Sequence, residues 1–214
     1  MSYQSPKSTV RRVPKRGHYD EATVHAILDS GYVGQVSFQM GEQPFQIPML
    51  YGRKGKTIYL HGSPKSRIYQ VLSQGVACCM GVTFVDGMVL ARSAFHHSVN
   101  YRSVLVFGRC APVKSPQEKM AAFELFTNAI IPGRWEECRP MTEKEAEVTG
   151  ILALEIEEAS AKIRTGGPVD DAADYALPMW AGVVPCRTVY DAPIADDKLQ
   201  GEYPLPASVK DLLA

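Results

Sequence analysis

Apolar and polar positions alternate along this chain in two rhythms, and the changes between them predict its elements. "DEATVHAILDSG" has the helical period: Asp20 is a good N-cap and Glu21 suits the positive helix end. Val24, Ile27 and Leu28 fall on one face, and Gly31 closes the helix as a C′ residue. The period then shortens. "YVGQVSFQMG" alternates imperfectly through Val33, Val36 and Phe38, and "PFQIPMLYG" and "TIYLHG" follow at short spacing. Gly41-Glu42-Gln43 and Arg53-Lys54-Gly55-Lys56 break these runs, the pattern of an antiparallel meander. Pro48, inside its run, marks an edge strand or a gap in pairing.

The helical period returns in "SPKSRIYQVLSQG", with Ser63 as N-cap, Pro64 at N1, a face of Ile68, Val71 and Leu72, and Gly75 at the end. "VACCMGVTFVDGMVLARSAF" resumes strand, with Asp86-Gly87 expected as a hairpin turn, and "RSVLVFGRCAPV" is a further strand. Ser115-Pro116-Gln117-Glu118 is a capping box opening a helix to Ile130, and Thr142-Glu143-Lys144-Glu145 starts a shorter one. "ILALEIEEASAKI" reads as one last long strand. Helices surround a set of short antiparallel strands, which predicts a small closed barrel and disfavours a doubly wound sheet. Residues 1–19 are expected to form a flexible arm and 20–165 one domain. Beyond Gly166-Gly167-Pro168, prolines at 178, 185, 193, 204 and 206 mark an extended segment over 166–214. Tyr175, Trp180, Tyr190 and Tyr203 make it too aromatic to be disordered, so it should pack on the barrel or on a partner subunit.

Composition narrows the function classes. The 214 residues are 45% hydrophobic and 21% charged, enough for one domain with a real core. Twenty-three basic residues balance 23 acidic ones, so no basic field points to nucleic acid. No run of ~18 apolar residues predicts a membrane span, and the basic N-terminus lacks the apolar stretch of a secretory signal. Five cysteines without CxxC or CxxH spacing predict neither a disulfide framework nor a zinc ribbon. Cys78 and Cys79 read as small buried hydrophobes, and the expected compartment is the reducing cytoplasm.

Two stretches concentrate polar chemistry. "LHGSPKSR" places His61, Ser63, Lys65, Ser66 and Arg67 where a helix begins. Helix N-termini expose unpaired N–H groups, and a hydroxyl and a guanidinium beside them match the oxygens of a phosphate. A capped helix with a solvated basic turn fits the same spacing, and spacing alone leaves both readings open. The nucleotide fingerprints GxGxxG and GxxxxGK[ST] do not occur, nor do GxSxG, HExxH or a paired-carboxylate signature. "ARSAFHHSVNYRSVLVFG" gathers Arg92, His96, His97, Asn100, Tyr101, Arg102 and Ser103 before a strand. No carboxylate or cysteine completes a metal site around the histidine pair at familiar spacing. The favoured reading is a loop that presents polar groups to a ligand or a subunit interface.

Read together, "IPMLYGRKGKTIYLHGSPKSRIYQVL" and "LARSAFHHSVNYRSVLVFGRC" resemble the FMN-binding split-barrel superfamily of the pyridoxamine 5′-phosphate oxidase type. Within it the likeness is to the flavin-nucleotide-binding branch that includes the nitroimidazole-resistance (Nim-type) reductases. The tail "PMWAGVVPCRTVYDAPIADDKLQGEYPLP" is similar as well, so the resemblance spans about residues 18 to 206. It implies a six-stranded antiparallel split β-barrel that forms a homodimer, with FMN, or alternatively FAD, at the subunit interface. Ser66 and Arg67 fall on the family's phosphate-binding pair, with Lys65 adding charge. His61 and Gly62 fall on the strand end that contacts phosphate and ribityl. Gln46, Ile47, Pro48 and Met49 fall on the flavin-ring segment, and Arg102 or Ser103 on the ring's polar edge. Trp180 and Arg187 sit near the C-terminal groups that a partner chain supplies.

Gln46 and Tyr51 replace the oxidases' basic R-x-x-x-x-K pair, and their arginine-rich C-terminal substrate motif is absent. Pyridoxamine phosphate oxidation itself is therefore not expected. The resemblance implies an FMN-dependent oxidoreductase that reduces a small nitro compound or quinone with NAD(P)H. His61 would donate a proton beside the ring, since imidazole titrates near neutrality, or would serve only as a structural hydrogen-bonding group. The alternatives are a non-catalytic flavin-binding module or sensor, and a haem-binding split barrel with His96 or His97 on the iron.

Overall fold

The computed structural model describes residues 2–214. A two-residue strand β1 (Gly17–His18) leads into helix α1 (Glu21–Leu28). Asp20 caps α1, accepting from the Thr23 N–H at 2.8 Å, and Val24, Ile27 and Leu28 are buried as their spacing requires. The helix ends on a right-handed Asp29, so Gly31 is not the left-handed terminator expected. The meander follows as β2 (Val33–Met40), β3 (Gln43–Lys54) and β4 (Thr57–Gly62). Both connections are two-residue turns whose first residue is a glycine at φ +60°, Gly41 and Gly55. Then come α2 (Arg67–Leu72), β5 (Ala77–Leu90), β6 (Ser98–Pro112), α3 (Pro116–Ile130), α4 (Glu143–Val148), β7 (Gly150–Glu155), β8 (Glu158–Arg164), β9 (Gly182–Pro185) and α5 (Ala207–Leu213).

Six strands close an antiparallel ring in the order β2, β3, β4, β7, β6, β5 and back to β2. The expected barrel is present, and it is split. β6 pairs with β7 only over Cys110–Pro112, and its earlier part pairs with β8 instead. β3 pairs with β4 only from Tyr51 onward, so Gln43–Leu50 has β2 as its one neighbour. Pro48 lies on this open edge, as its missing N–H predicted. Inside the ring, alternate residues such as Val36, Met80, Val82, Val104, Val106, Ile58 and Leu60 are at most 4% exposed. A smaller cluster of Val113, Ala122, Phe126 and Ile151 packs under α3.

Three further expectations are corrected. Asp86-Gly87 is not a hairpin turn: β5 runs through it with a register shift between Val85 and Gly87, because β6 and β9 hold the ribbon from both sides. Turn chemistry is absorbed as a bulge. "ILALEIEEASAKI" is two strands, β7 and β8: β7 lies between β4 and β6, and at the corner the chain leaves β4 and continues along the earlier part of β6, with β1 on its other side. There Ile156 N–H donates to the Lys56 carbonyl (2.9 Å) and Glu157 N–H to the Phe107 carbonyl (3.2 Å). Finally, the N-terminal residues expected as a flexible arm pack on the barrel. Tyr3 is 5% exposed, its hydroxyl lies 2.9 Å from His25 Nε2, and β1 pairs with β8.

The C-terminal segment is extended and lies on its own barrel through β9, which pairs with β5. It ends in α5, a helix the sequence reading did not include, tied down by Ser208 N–H donating to Glu137 at 3.1 Å. Among the described residues no helix is long and apolar enough to cross a membrane. All five cysteines are free, with Cys78 and Cys110 buried.

Candidate flavin-nucleotide site

The segment after β4 builds its own turn. Ser66 N–H (2.9 Å) and Ser66 Oγ–H (2.7 Å) both donate to the Ser63 carbonyl, and Lys65 N–H donates to Ser63 Oγ at 3.2 Å. The Ser63 hydroxyl is thus used within the turn and does not cap the helix. Ser66 is the N-cap, accepting from the Tyr69 N–H at 3.4 Å, and Arg67 rather than Pro64 is the first helical residue. This shift places Arg67 over the ring of Phe45, guanidinium carbon 4.6 Å from the centroid. Its side chain makes no hydrogen bond among the described residues, so its donors are available to a ligand.

Three elements converge here. A Cβ placed on Gly62 would lie 3.9 Å from both Met49 Cε and Ser66 Oγ, so the end of β4, the cap of α2 and the open edge of β3 meet. Along that edge Phe45, Ile47 and Met49 pack on the core, while Pro44, Gln46 and Pro48 face out. His61 is half-buried against Phe126, ring centroids 4.8 Å apart, and burial pushes its imidazole below the ordinary histidine value. At neutral pH it is the uncharged ring, which donates one N–H and accepts at the other nitrogen. Of the two roles expected of it, the lowered value favours the hydrogen-bonding one.

Arg102 and Ser103 lie elsewhere in the chain. β6 is separated from β3 by β5 and β2, about 14 Å of sheet at normal strand spacing. The Arg102 Nε–H donates to Asp86 at 3.0 Å and its guanidinium covers Phe84, while Ser103 Oγ–H donates to the Lys162 carbonyl at 3.3 Å. Arg102 lines a 720 Å³ cleft with Tyr32, Cys186, Arg187 and Tyr190. Trp180 is 68% exposed beside Gly182. One chain thus brings Gln46, Ile47, Pro48, Met49, His61, Gly62, Lys65, Ser66 and Arg67 into one region, and places Arg102, Ser103, Trp180 and Arg187 apart from it.

The centre of the face between these groups carries uncharged residues, and Lys7, Arg11, Arg12 and Lys162 line a cleft with Ser103 and Leu105 at its margin. Register pairs Gln35 with Gly81 and Gly81 with Leu105, and Thr83 with Ser103, all on the outer side of the ring. Leu105 is 46% exposed there.

The histidine loop is organised by a residue the sequence reading missed, Asp170. Its carboxylate accepts from Arg92 N–H and Arg92 Nη1–H, both at 3.0 Å, and from Ser93 N–H at 3.4 Å. Burial opposes this charge, but the three donors outweigh it and hold the carboxyl below the usual aspartate value. His97 Nδ1 lies 3.0 Å from the Ser93 carbonyl, and His96 Nε2 lies 3.5 Å from Asp171. No group of three metal-ligating side chains is found among the described residues.

Residues 20–163 match the family model described as pyridoxamine 5′-phosphate oxidase. The chain is 38% identical to the flavocytochrome Anf3 from Azotobacter vinelandii, with a TM-score of 0.90 over 97% of this chain and 96% of that one. It is 34% identical to the FAD and heme binding protein from Mycobacterium smegmatis, with a TM-score of 0.88 over 92% of this chain and 97% of that one. A 5-nitroimidazole antibiotic resistance protein of Bacteroides thetaiotaomicron is 16% identical, with a TM-score of 0.57 over 67% of this chain and 84% of that one, and shares the fold. No curated protein sequence matches the chain.

Proposed function

The chain belongs to the pyridoxamine 5′-phosphate oxidase family, and from that premise we propose that it binds a flavin nucleotide and works as a flavin-dependent oxidoreductase on a small molecule. The observation that carries the reading is the meeting of Gly62, Met49 and the Ser66–Arg67 cap beneath an open strand edge. The residues fit the group. Arg67, Ser66 and Lys65 supply a guanidinium, a hydroxyl and a point charge for phosphate. Gly62 keeps the strand end clear of side chain, and the Gln46–Met49 edge offers peptide groups and methyls to a flat ring. A bound flavin supplies the electron transfer, and the protein supplies orientation and exclusion of water. His61, as a neutral imidazole, would offer the flavin a hydrogen bond. NAD(P)H as donor and a nitro compound or quinone as acceptor remain the working assignment.

The exposed apolar side chain of Leu105 on that face supports a homodimer. In such a pair Arg102, Ser103, Trp180 and Arg187 of one subunit would reach the flavin of the other, which accounts for their separation within one chain.

A second reading adds a haem. It is supported by the flavocytochrome and the FAD and heme binding protein, and it would use His96 or His97 of the loop held by Asp170. One experiment addresses both readings. The purified protein should show flavin absorbance before or after flavin is added, and Arg67→Ala should weaken flavin binding by ~1.5–3 kcal/mol, the scale of a charge-assisted hydrogen bond. A Soret band lost in His97→Ala, and in no other variant, would place haem on that residue. No flavin bands after flavin addition would overturn the assignment.

A further inference from the structure

We propose that Cys78 and Cys110 form a redox-active dithiol, which hydrogen peroxide converts to a disulfide within the chain. Their sulfurs are 3.8 Å apart inside the ring, and the two residues are only 7% and 3% exposed. The register explains the contact. Cys78 lies opposite Gly108 of β6, which has no side chain to fill the space between the strands. Cys110, two residues further along β6, faces the same side and reaches the Cys78 sulfur diagonally. A disulfide bond is about 2.05 Å long, so the sulfurs must close by roughly 1.8 Å. Both stand where the ladder ends. β5 begins at Ala77, just after Gly75 at φ +73°, and its pairing with β6 reaches only to Arg109. Cys110 has already passed to Leu154 of β7. Cys79 faces the other side of β5, and among the described residues no other two sulfurs are in hydrogen-bonding contact.

The two thiols differ in what they can do. Cys78 turns its hydrogen to the Gly108 carbonyl at 3.6 Å, and its sulfur accepts from the Cys110 S–H. That bond from Cys110 holds the Cys78 thiol below its ordinary value although burial opposes it, and the same bond, with burial, pushes the Cys110 thiol up. Cys78 is therefore the attacking sulfur and Cys110 the resolving one. Cys78 also lines a 680 Å³ cleft with Cys79, Phe107 and Arg109, which gives a molecule as small as peroxide a way in. The Cys78 sulfur attacks one peroxide oxygen and the O–O bond breaks. The departing hydroxide takes the Cys78 proton and leaves as water, with a sulfenic acid at Cys78. The Cys110 sulfur then attacks the Cys78 sulfur and the S–O bond breaks. The second hydroxide takes the Cys110 proton and also leaves as water. Two thiols have lost two electrons and two protons, and one peroxide has become two waters. The step uses no residue assigned to phosphate or flavin ring and does not depend on that reading.

The test maps the bond. The folded full chain, reduced and then freed of reductant, is treated with hydrogen peroxide, alkylated, and digested with trypsin without reduction. Residues 68–92, which carry Cys78 and Cys79, should appear joined to residues 110–114, which carry Cys110, and should separate on reduction. Cys79→Ser should keep the link and Cys78→Ser should lose it. In Cys110→Ser the link is lost and Cys78 should accumulate as a sulfenic acid that dimedone traps. If a serine variant fails to fold, fragmentation of the linked peptides from the native chain distinguishes Cys78 from Cys79. The exposed Cys138 reports that the oxidant was active. A link through Cys79, a link that forms only after urea unfolds the chain, or no link while Cys138 is oxidised would each overturn the inference.

Discussion

His61 and Arg67 share one short segment, and their surroundings give them different work. Arg67 lies over Phe45 with its hydrogen-bonding capacity unused, whereas His61 is packed on Phe126 and kept neutral. The downward shift at His61 has a stability consequence. A histidine whose folded-state value lies below its unfolded value resists protonation only in the folded protein. Its cost is absent well above the ordinary histidine range and grows as pH falls through that range. Urea denaturation should therefore show the native chain losing more stability than His61→Gln between about pH 7 and about pH 5. Parallel losses would mean that His61 is not the buried neutral group described. At this scale the sequence was partly legible. Ser66 and Arg67 stand out because a hydroxyl and a guanidinium adjoin a helix start. Asp170 does not, because its donors at Arg92 and Ser93 lie 78 and 77 positions away and no local pattern connects them.

The corner between β7 and β8 depends on a glycine in another strand. A Cβ on Gly108 of β6 would lie 2.1 Å from the Glu155 carbonyl oxygen, which is backbone and cannot swing aside. Gly108→Ala should destabilise the fold by roughly 2–3 kcal/mol, the upper range for overpacking. A midpoint shift in chemical denaturation measures it, and a change under ~0.5 kcal/mol would contradict the close crossing. Elements with strong local signals were readable: the Asp20 cap, the two glycine turns of the meander, and the Ser115 and Thr142 caps. The misread elements are those where partners outvote local chemistry. Asp86-Gly87 has hairpin residues, yet pairing with β6 and β9 carries the strand through. "ILALEIEEASAKI" has continuous strand character, and only the exchange of β4 for β1 beside a shared β6 divides it. Ser63 looks like the cap, and the turn it closes moves the cap to Ser66.

Across the whole molecule, the expected site residues occupy two regions with a sheet face that exposes Leu105 between them. If that face joins two subunits, a charge in its middle should separate them and dilute the flavin site at the same time. Leu105→Arg, at a side chain 46% exposed, should convert a dimer to a monomer in sedimentation and weaken flavin binding by about tenfold or more. A monomeric variant with unchanged flavin affinity would show the site to be complete within one chain. The barrel itself was legible because alternation and short turns determine it. The split was not, because it depends on how far each pairing extends. That split leaves Gln43–Leu50 with one neighbour, and Pro44 and Pro48 share a parity within it. The unbroken eight-residue register with β2 accommodates prolines only where their missing N–H groups face away from β2. An exposed strand edge is normally a template on which another chain can extend the sheet. Here two of its outward donors have been deleted, so an edge left open by the split is also poorly able to seed aggregation.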